Sequence, residues 1–248
     1  MTDRIADEER PAAESRLTNA VLDFHPSRHG FHFANRFPPG PTVRLGLFDP
    51  RVFGGISDAR NGLCGGMSYT VADLFNAHVD PPRDTEPPAN GSARFQAIVR
   101  RQVQSLDWLR VPLRFYDLSA FRLGLPTWLG GVRPPLGDLV RDREWPRVRG
   151  EIDAGRLAML GLIRAASPNP FALTANHQVL AYGYRVEPTS VAVRVYDPNW
   201  PDRDDVEERM ILDPGAAPRF ESSTGEPLLG FFLAPYAPVD PKAWRSNR

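Results

Sequence analysis

Apolar residues recur every three to four positions along three stretches of the chain, the spacing typical of amphipathic helices. The stretches predict helices at about 64–78, 92–108 and 136–154, and Gly155 is placed to end the third helix. The apolar positions that define the first helix are Met67, Val71, Leu74 and Phe75. The first half of the chain is therefore predicted to be largely helical.

The pattern changes to short runs of β-forming residues after about residue 156. An apolar run at 157–163 is long enough for a buried strand. Alternating runs at 177–185 and 191–197 flank the turn 187–190 and predict an antiparallel hairpin. Two more strands are predicted at 208–212 and 228–233. Helices followed by an antiparallel sheet indicate an α+β fold.

The length of 248 residues favours one domain. We expect a flexible N-terminus at 1–18, a single domain at 19–240 and a tail at 241–248. The domain divides into a helical half at about 19–155 and a sheet half at about 156–240. A short strand is also predicted at 42–47, and the segment 109–128 fits either strand-like pieces or a cap over a cleft.

Charge and composition exclude several classes of function. The formal net charge is zero, which argues against nucleic-acid and membrane-surface partners, since both require a basic patch. The single cysteine excludes an internal disulfide framework, and no signal peptide or membrane-length apolar run is visible, so a cytoplasmic protein is expected. His25, His29 and His32 lack accompanying carboxylates or thiols, and no phosphate-binding loop occurs, so neither a metal nor a cofactor is predicted.

The single cysteine, Cys64, is a candidate nucleophile. It stands at or just before the start of the first predicted helix, where backbone N–H groups and the helix dipole favour a thiolate. Gly65 and Gly66 follow it, and glycines without a Cβ leave room for a substrate to approach the sulfur. A buried structural cysteine requires none of these features.

A base and an orienting group for this nucleophile occur downstream. His177 stands near the start of one predicted strand, and the next strand ends at Asp197-Pro198-Asn199. An antiparallel hairpin returns either Asp197 or Asn199 to the side of His177, as the orientation of an imidazole base requires. Both remain candidates on the spacing alone.

Cys-Gly-Gly at a helix start, His at a strand start and Asp-Pro at the end of the next strand resemble the papain-like cysteine peptidases. The pattern is most similar to the bacteriocin-leader-processing type, in which the third residue is the Asp of an Asp-Pro pair. The resemblance spans roughly 33–236, and its specific motifs cover about thirty residues. It implies a papain-like fold, with the cysteine-bearing helix packed on a C-terminal antiparallel sheet. It also implies Cys64 as nucleophile, His177 as base and Asp197 as orienting group.

The chain departs from this family upstream of the cysteine. Papain-like enzymes usually have a Gln there whose amide helps to bind the oxyanion, whereas this chain has Asp58. An ionised carboxylate cannot donate a hydrogen bond. The remaining candidate donors are Asn61, Asn35 and the Cys64 backbone N–H.

The resemblance implies a hydrolase or acyl-transferase that acts on peptide or isopeptide bonds of a peptide or protein substrate. Amide transfer of the transglutaminase type uses the same triad and stays open. The alternative is a papain-like fold that has lost catalysis and serves as a binding module. The substrate sequence and the oligomeric state are not determined by the sequence.

Overall fold

The computed structural model describes residues 17–38, 62–106, 134–165 and 176–245, together with positions 111, 114 and 118. The helices are α1 (Pro26–His29), α2 (Cys64–Asn76), α3 (Ala93–Ser105), α4 (Leu136–Leu139), α5 (Trp145–Asp153) and α6 (Lys242–Arg245). A π-helical segment, Val140–Glu144, joins α4 to α5. The strands are β1 (Asn19–Ala20), β2 (Ala158–Ile163), β3 (His177–Glu187), β4 (Ser190–Tyr196), β5 (Glu207–Ile211), β6 (Arg219–Ser222) and β7 (Gly230–Leu233).

The strands form one antiparallel sheet in the order β6-β5-β4-β3-β2-β7, and β1 pairs with the far end of β3. The sheet is curled into a half-barrel. Gly137 of α4 packs against Pro218 just before β6, while Gly230 at the start of β7 packs against Leu136 and Val140. The helix therefore lies between the two edge strands of the curled sheet. The predicted α+β class is confirmed.

Helix α2 packs against β3 and against α3, and Gly66 allows α2 and α3 to approach closely. A Cβ on Gly66 would collide with the Ile98 carbonyl oxygen of α3. The Gly66 N–H donates to Gln102 Oε1 at 2.8 Å, so one N-terminal amide of α2 is satisfied by α3. Helix α3 has its own N-cap, since Ser92 Oγ accepts from the Phe95 N–H at 3.2 Å.

Gly66→Ala is expected to lower the free energy of unfolding by about 1–3 kcal/mol, because the added methyl group meets helix backbone that cannot rotate away. Gly150→Ala in α5 is the matched control. A Cβ there meets nothing within 4 Å, so this variant should be neutral or more stable by up to about 1 kcal/mol. Urea unfolding followed by tryptophan fluorescence measures both. Equal effects at the two positions would contradict a constrained α2–α3 contact.

The third predicted helix is observed as one helical stretch from Leu136 to Asp153, within which the hydrogen bonding changes to π-helical at Val140–Glu144. Pro146 lacks an N–H and cannot donate to a carbonyl of the preceding turn, and the π-helical segment lies at this point. Gly155, the predicted end of the helix, has φ +73°, a conformation that glycine adopts without strain. The last helical residue is Asp153 and the C-cap is Ala154, so Gly155 follows the cap and closes the helix end by donating its N–H to the Ile152 carbonyl at 2.9 Å.

The predicted flexible N-terminus (1–18) and the predicted tail (241–248) both contain residues that pack on the domain. Thr18 donates its N–H to the Tyr184 carbonyl at 2.8 Å, which fixes the end of the predicted flexible segment to β3. The predicted tail contains α6, whose Trp244 is buried. The predicted strand at 42–47 lies outside the described residues, as does most of 109–128. Within the described ranges, no helix is long and apolar enough to span a bilayer.

Candidate active site

Cys64 is the first residue of α2, and its side chain is partly exposed. Leu63 at the N-cap offers no side-chain hydrogen bond, so no capping oxygen competes for the N–H groups that start the helix. Met67 is fully buried and fixes the helix start in the core. This placement directs the positive end of the helix dipole at the sulfur.

His177 is the first residue of β3, and Asp197 directly follows β4. The two strands pair from the turn to Leu180 opposite Tyr196, with one register shift between Ala181 and Gly183, and this pairing returns Asp197 to the start of β3. His177 Nε2 lies 2.6 Å from Asp197 Oδ1, and both side chains are buried. Since Nε2 is engaged by Asp197, Nδ1 is the ring nitrogen left to act on the Cys64 thiol, whose pKa the ring lowers.

Cys64, His177 and Asp197 shift one another's pKa values in the direction that favours a thiolate–imidazolium pair. Burial opposes the thiolate, but the charge and hydrogen bond of His177 hold the pKa of Cys64 below its ordinary value. The N–H groups of Gln178 and Gly65 also favour the thiolate. Burial likewise opposes the imidazolium, yet Asp197 and Cys64 raise the pKa of His177 to about 10. The imidazolium is therefore the favoured state of His177 near neutral pH, and its charge in turn favours the Cys64 thiolate.

Asp197 stays ionised although it is fully buried. Burial opposes its charge, but His177, the Asn199 N–H and Arg164 keep its pKa below the ordinary value. The Asn199 N–H donates to Oδ1 at 2.8 Å, and Arg164 Nη2 lies 3.6 Å from Oδ2. Glu226 accepts two hydrogen bonds from Arg164, at 3.1 and 2.8 Å, and fixes the guanidinium in place.

Asn35 links the two chain segments of the site. Its Oδ1 accepts from the Leu63 N–H at 2.6 Å, and its Nδ2 donates to Asn199 Oδ1 at 3.3 Å. The Asn35 N–H also donates to the Pro198 carbonyl at 2.9 Å. The backbone before Cys64 is thus tied to the backbone after Asp197. Asn199 Oδ1 is engaged by this link and not by the imidazole.

Among the candidate oxyanion donors, Asn61 lies outside the described residues. So does Asp58, which stands where papain-like enzymes usually have Gln. Asn35 Nδ2 is directed at Asn199 and has one further hydrogen to offer. The Cys64 N–H belongs to the first turn of α2, which no intrahelical carbonyl reaches.

The two glycines after Cys64 have a packing role that we did not predict. A Cβ on Gly65 would overlap the side-chain amide of Gln178 and crowd Ser105 Oγ. Gly66, as described above, allows α3 to approach. Both glycines accommodate buried neighbours in the interior, in addition to any access to the sulfur.

The histidines considered for metal binding have other partners. His29 Nδ1 accepts from the His25 N–H at 3.0 Å, and His32 Nδ1 lies 2.5 Å from Asp202 Oδ1. In the described part of the chain, no group of three or more His, Cys, Asp or Glu is placed to hold a metal ion.

Two charged residues of the site were missed from the sequence. Arg164 lies just beyond the predicted apolar strand, and Glu208 was placed only as the first residue of a strand. A signal existed for Glu208, because it alternates with Val206 and Met210, which are buried.

Comparison of the chain with protein-family models, with curated proteins and with solved structures gives no match.

Proposed function

We propose that this protein is a cysteine-dependent hydrolase or acyl-transferase that acts on peptide or isopeptide bonds. The observation that carries the proposal is the hydrogen bond of His177 to Asp197, beside a Cys64 thiol whose pKa the same imidazole lowers. Nucleophile, base and orienting group are in the order that acyl transfer requires, and their pKa shifts favour the reactive ion pair. The papain-like resemblance supports the same chemistry.

In the proposed reaction, the Cys64 thiolate attacks the substrate carbonyl carbon, and the carbonyl electrons move to oxygen. The tetrahedral intermediate collapses, the C–N bond breaks and His177 gives its proton to the leaving amine. A water molecule or an acceptor amine then attacks the thioester while neutral His177 takes its proton and becomes an imidazolium. Collapse of this second tetrahedral intermediate breaks the C–S bond and expels the Cys64 thiolate, which restores the ion pair.

Asp197 has two functions in this scheme. Its hydrogen bond to Nε2 directs Nδ1 at the sulfur, and its charge stabilises the imidazolium. The Arg164–Glu226 pair and the Asn199 N–H hold the carboxylate in turn. The oxyanion would be bound by the Cys64 N–H and a side-chain amide, for which Asn35 is the described candidate.

The second candidate function is a binding module with the same fold and no catalysis. The observation that favours it is the engagement of the Asn35 amide by Leu63 and Asn199, which leaves one hydrogen for an oxyanion. A groove without an effective oxyanion site binds a peptide but does not stabilise the tetrahedral intermediate.

A peptide library digested with wild-type protein and with Cys64→Ala tests the proposal. We expect new peptide termini, detected by mass spectrometry, with the wild type and none with the variant. Added hydroxylamine intercepts a thioester as a hydroxamate, so hydroxamate products report the acyl-enzyme that hydrolysis and acyl transfer share. Peptides retained by both proteins without cleavage or hydroxamate would contradict catalysis and support the binding module.

A further inference from the structure

Glu208 is a fully buried carboxyl that the proposed mechanism does not use. It lies on β5 between Val206 and Met210 and shares their buried face of the sheet. Ser222 Oγ donates to Glu208 Oε1 at 3.2 Å, whereas Oε2 has no hydrogen-bond partner among the described residues. Buried carboxyls are normally fully paired, so this arrangement calls for an explanation.

Strand register places Glu208 on the same face as the triad. Glu208 is opposite Val193 of β4, and alternation along β4 brings Val195 and then Asp197 to that face. Val195 is opposite Ala181, from which alternation along β3 leads back to His177. The carboxyl of Glu208 and the triad thus share one face of the sheet.

The charged groups that face Glu208 come from three neighbouring strand ends. They are Asp197 after β4, His177 on β3 and Arg164 after β2, and Arg164 is itself paired with Glu226. Burial and then the charge of Asp197 raise the pKa of Glu208 to about 8, against the smaller opposing effects of Arg164, Ser222 and His177. The unpartnered carboxyl and the triad are therefore electrostatically coupled.

We propose that Glu208 is a positioning residue of the triad, whose buried carboxylate retains the proton on His177 when it is ionised. This inference rests on the proposed function. The added negative charge faces the imidazolium through a medium of low polarity and opposes loss of its proton. Glu208 then acts through His177 and touches no substrate.

The rate of alkylation of Cys64 by iodoacetamide, followed against pH, measures this effect. Because the chain has one cysteine, every alkylation event reports on this site. The rate rises once when the ion pair forms and again when the imidazolium loses its proton, since an unpaired thiolate is the stronger nucleophile. In Glu208→Gln we expect the upper inflection on the order of one pH unit lower and the lower inflection unchanged.

Glu221→Gln is the matched control. Glu221 is an exposed residue of the adjacent strand β6, next to Ser222. Its replacement should leave both inflections in place. If Glu208→Gln moves both inflections together, or lowers the rate equally at every pH, its effect is one of packing and the proposal is overturned.

The pH dependence of stability gives a second measurement that needs no reaction at Cys64. Folding raises the pKa of Glu208 from 4.5 to about 8, so the folded state binds this proton more tightly. The contribution is present below about 4.5 and is lost as the pH rises through about 8. We expect this loss in urea unfolding of the wild type and not of Glu208→Gln. Equal slopes would overturn the proposal.

Failure of this inference differs from failure of the proposed function. If His177→Ala abolishes the ion-pair profile but Glu208→Gln leaves its upper inflection unchanged, only the role of Glu208 is wrong. If the wild type already shows the profile of a free thiol, there is no ion pair and both proposals fail.

Discussion

Replacing His177 by alanine is expected to slow the alkylation of Cys64 by iodoacetamide at about pH 6 by roughly tenfold to a hundredfold. In the wild type, the charge and hydrogen bond of His177 keep the pKa of the thiol below its ordinary value. Without the imidazole, burial raises that pKa, and a thiol with a pKa near 8.5 is only about 0.3% ionised at pH 6. The higher intrinsic reactivity of a more basic thiolate recovers part of the loss.

The matched control for this experiment is His78→Asn. His78 is exposed just beyond the end of α2 and has φ +53°, a conformation that asparagine tolerates. This variant should react at the wild-type rate. A His177→Ala rate equal to that of the control would show that no thiolate–imidazolium pair exists, which would remove the basis of the proposed catalysis.

Several features of the sheet could be predicted because alternation and turn residues are local signals. The hairpin predicted at 177–185 and 191–197 is observed as β3 and β4, with bounds that differ by one or two residues. Strand β6 was missed, since four residues at a sheet edge contain one apolar side chain, Phe220, and show no clear alternation. Local pattern thus located the long central strands better than the short edge strand.

The contacts around the triad depend on packing between segments that are distant in sequence. Asn35 reaches Leu63 and Asn199, and Arg164 reaches Asp197, across separations that no short motif encodes. The direction of Glu208 follows from the register of β5 on β4. The sequence motifs predicted the three candidate catalytic residues, but not the residues that hold them.

The candidate site also joins the two halves of the chain. Cys64 comes from the helical half, whereas His177 and Asp197 come from the sheet. Asn35 fixes the backbone before Cys64 to the backbone after Asp197, at the point where these halves meet.

Asp197→Asn is expected to lower turnover on any substrate found in the peptide library by about 10²–10⁴-fold. Asp197 Oδ1 accepts from both His177 and Asn199, while Oδ2 faces Arg164. An asparagine has one oxygen, so its NH₂ group must face one of these donors. Either the imidazole loses its orientation or the NH₂ group lies against the guanidinium, and in both cases the charge that stabilises the imidazolium is lost.

Asn199→Ala should cost at most a few-fold in turnover, although Asn199 was an alternative for the orienting role. Its contact with Asp197 uses the backbone N–H, which alanine retains, and only the bond from Asn35 is lost. Alkylation of Cys64 at about pH 6 gives a measurement independent of substrate, which should fall in Asp197→Asn and stay near wild type in Asn199→Ala. Urea unfolding of both variants separates these effects from a loss of fold, because removal of the buried charge also leaves Arg164 less well paired. The reverse order of the two variants, with Asn199→Ala the slower in both assays, would transfer the orienting role to Asn199.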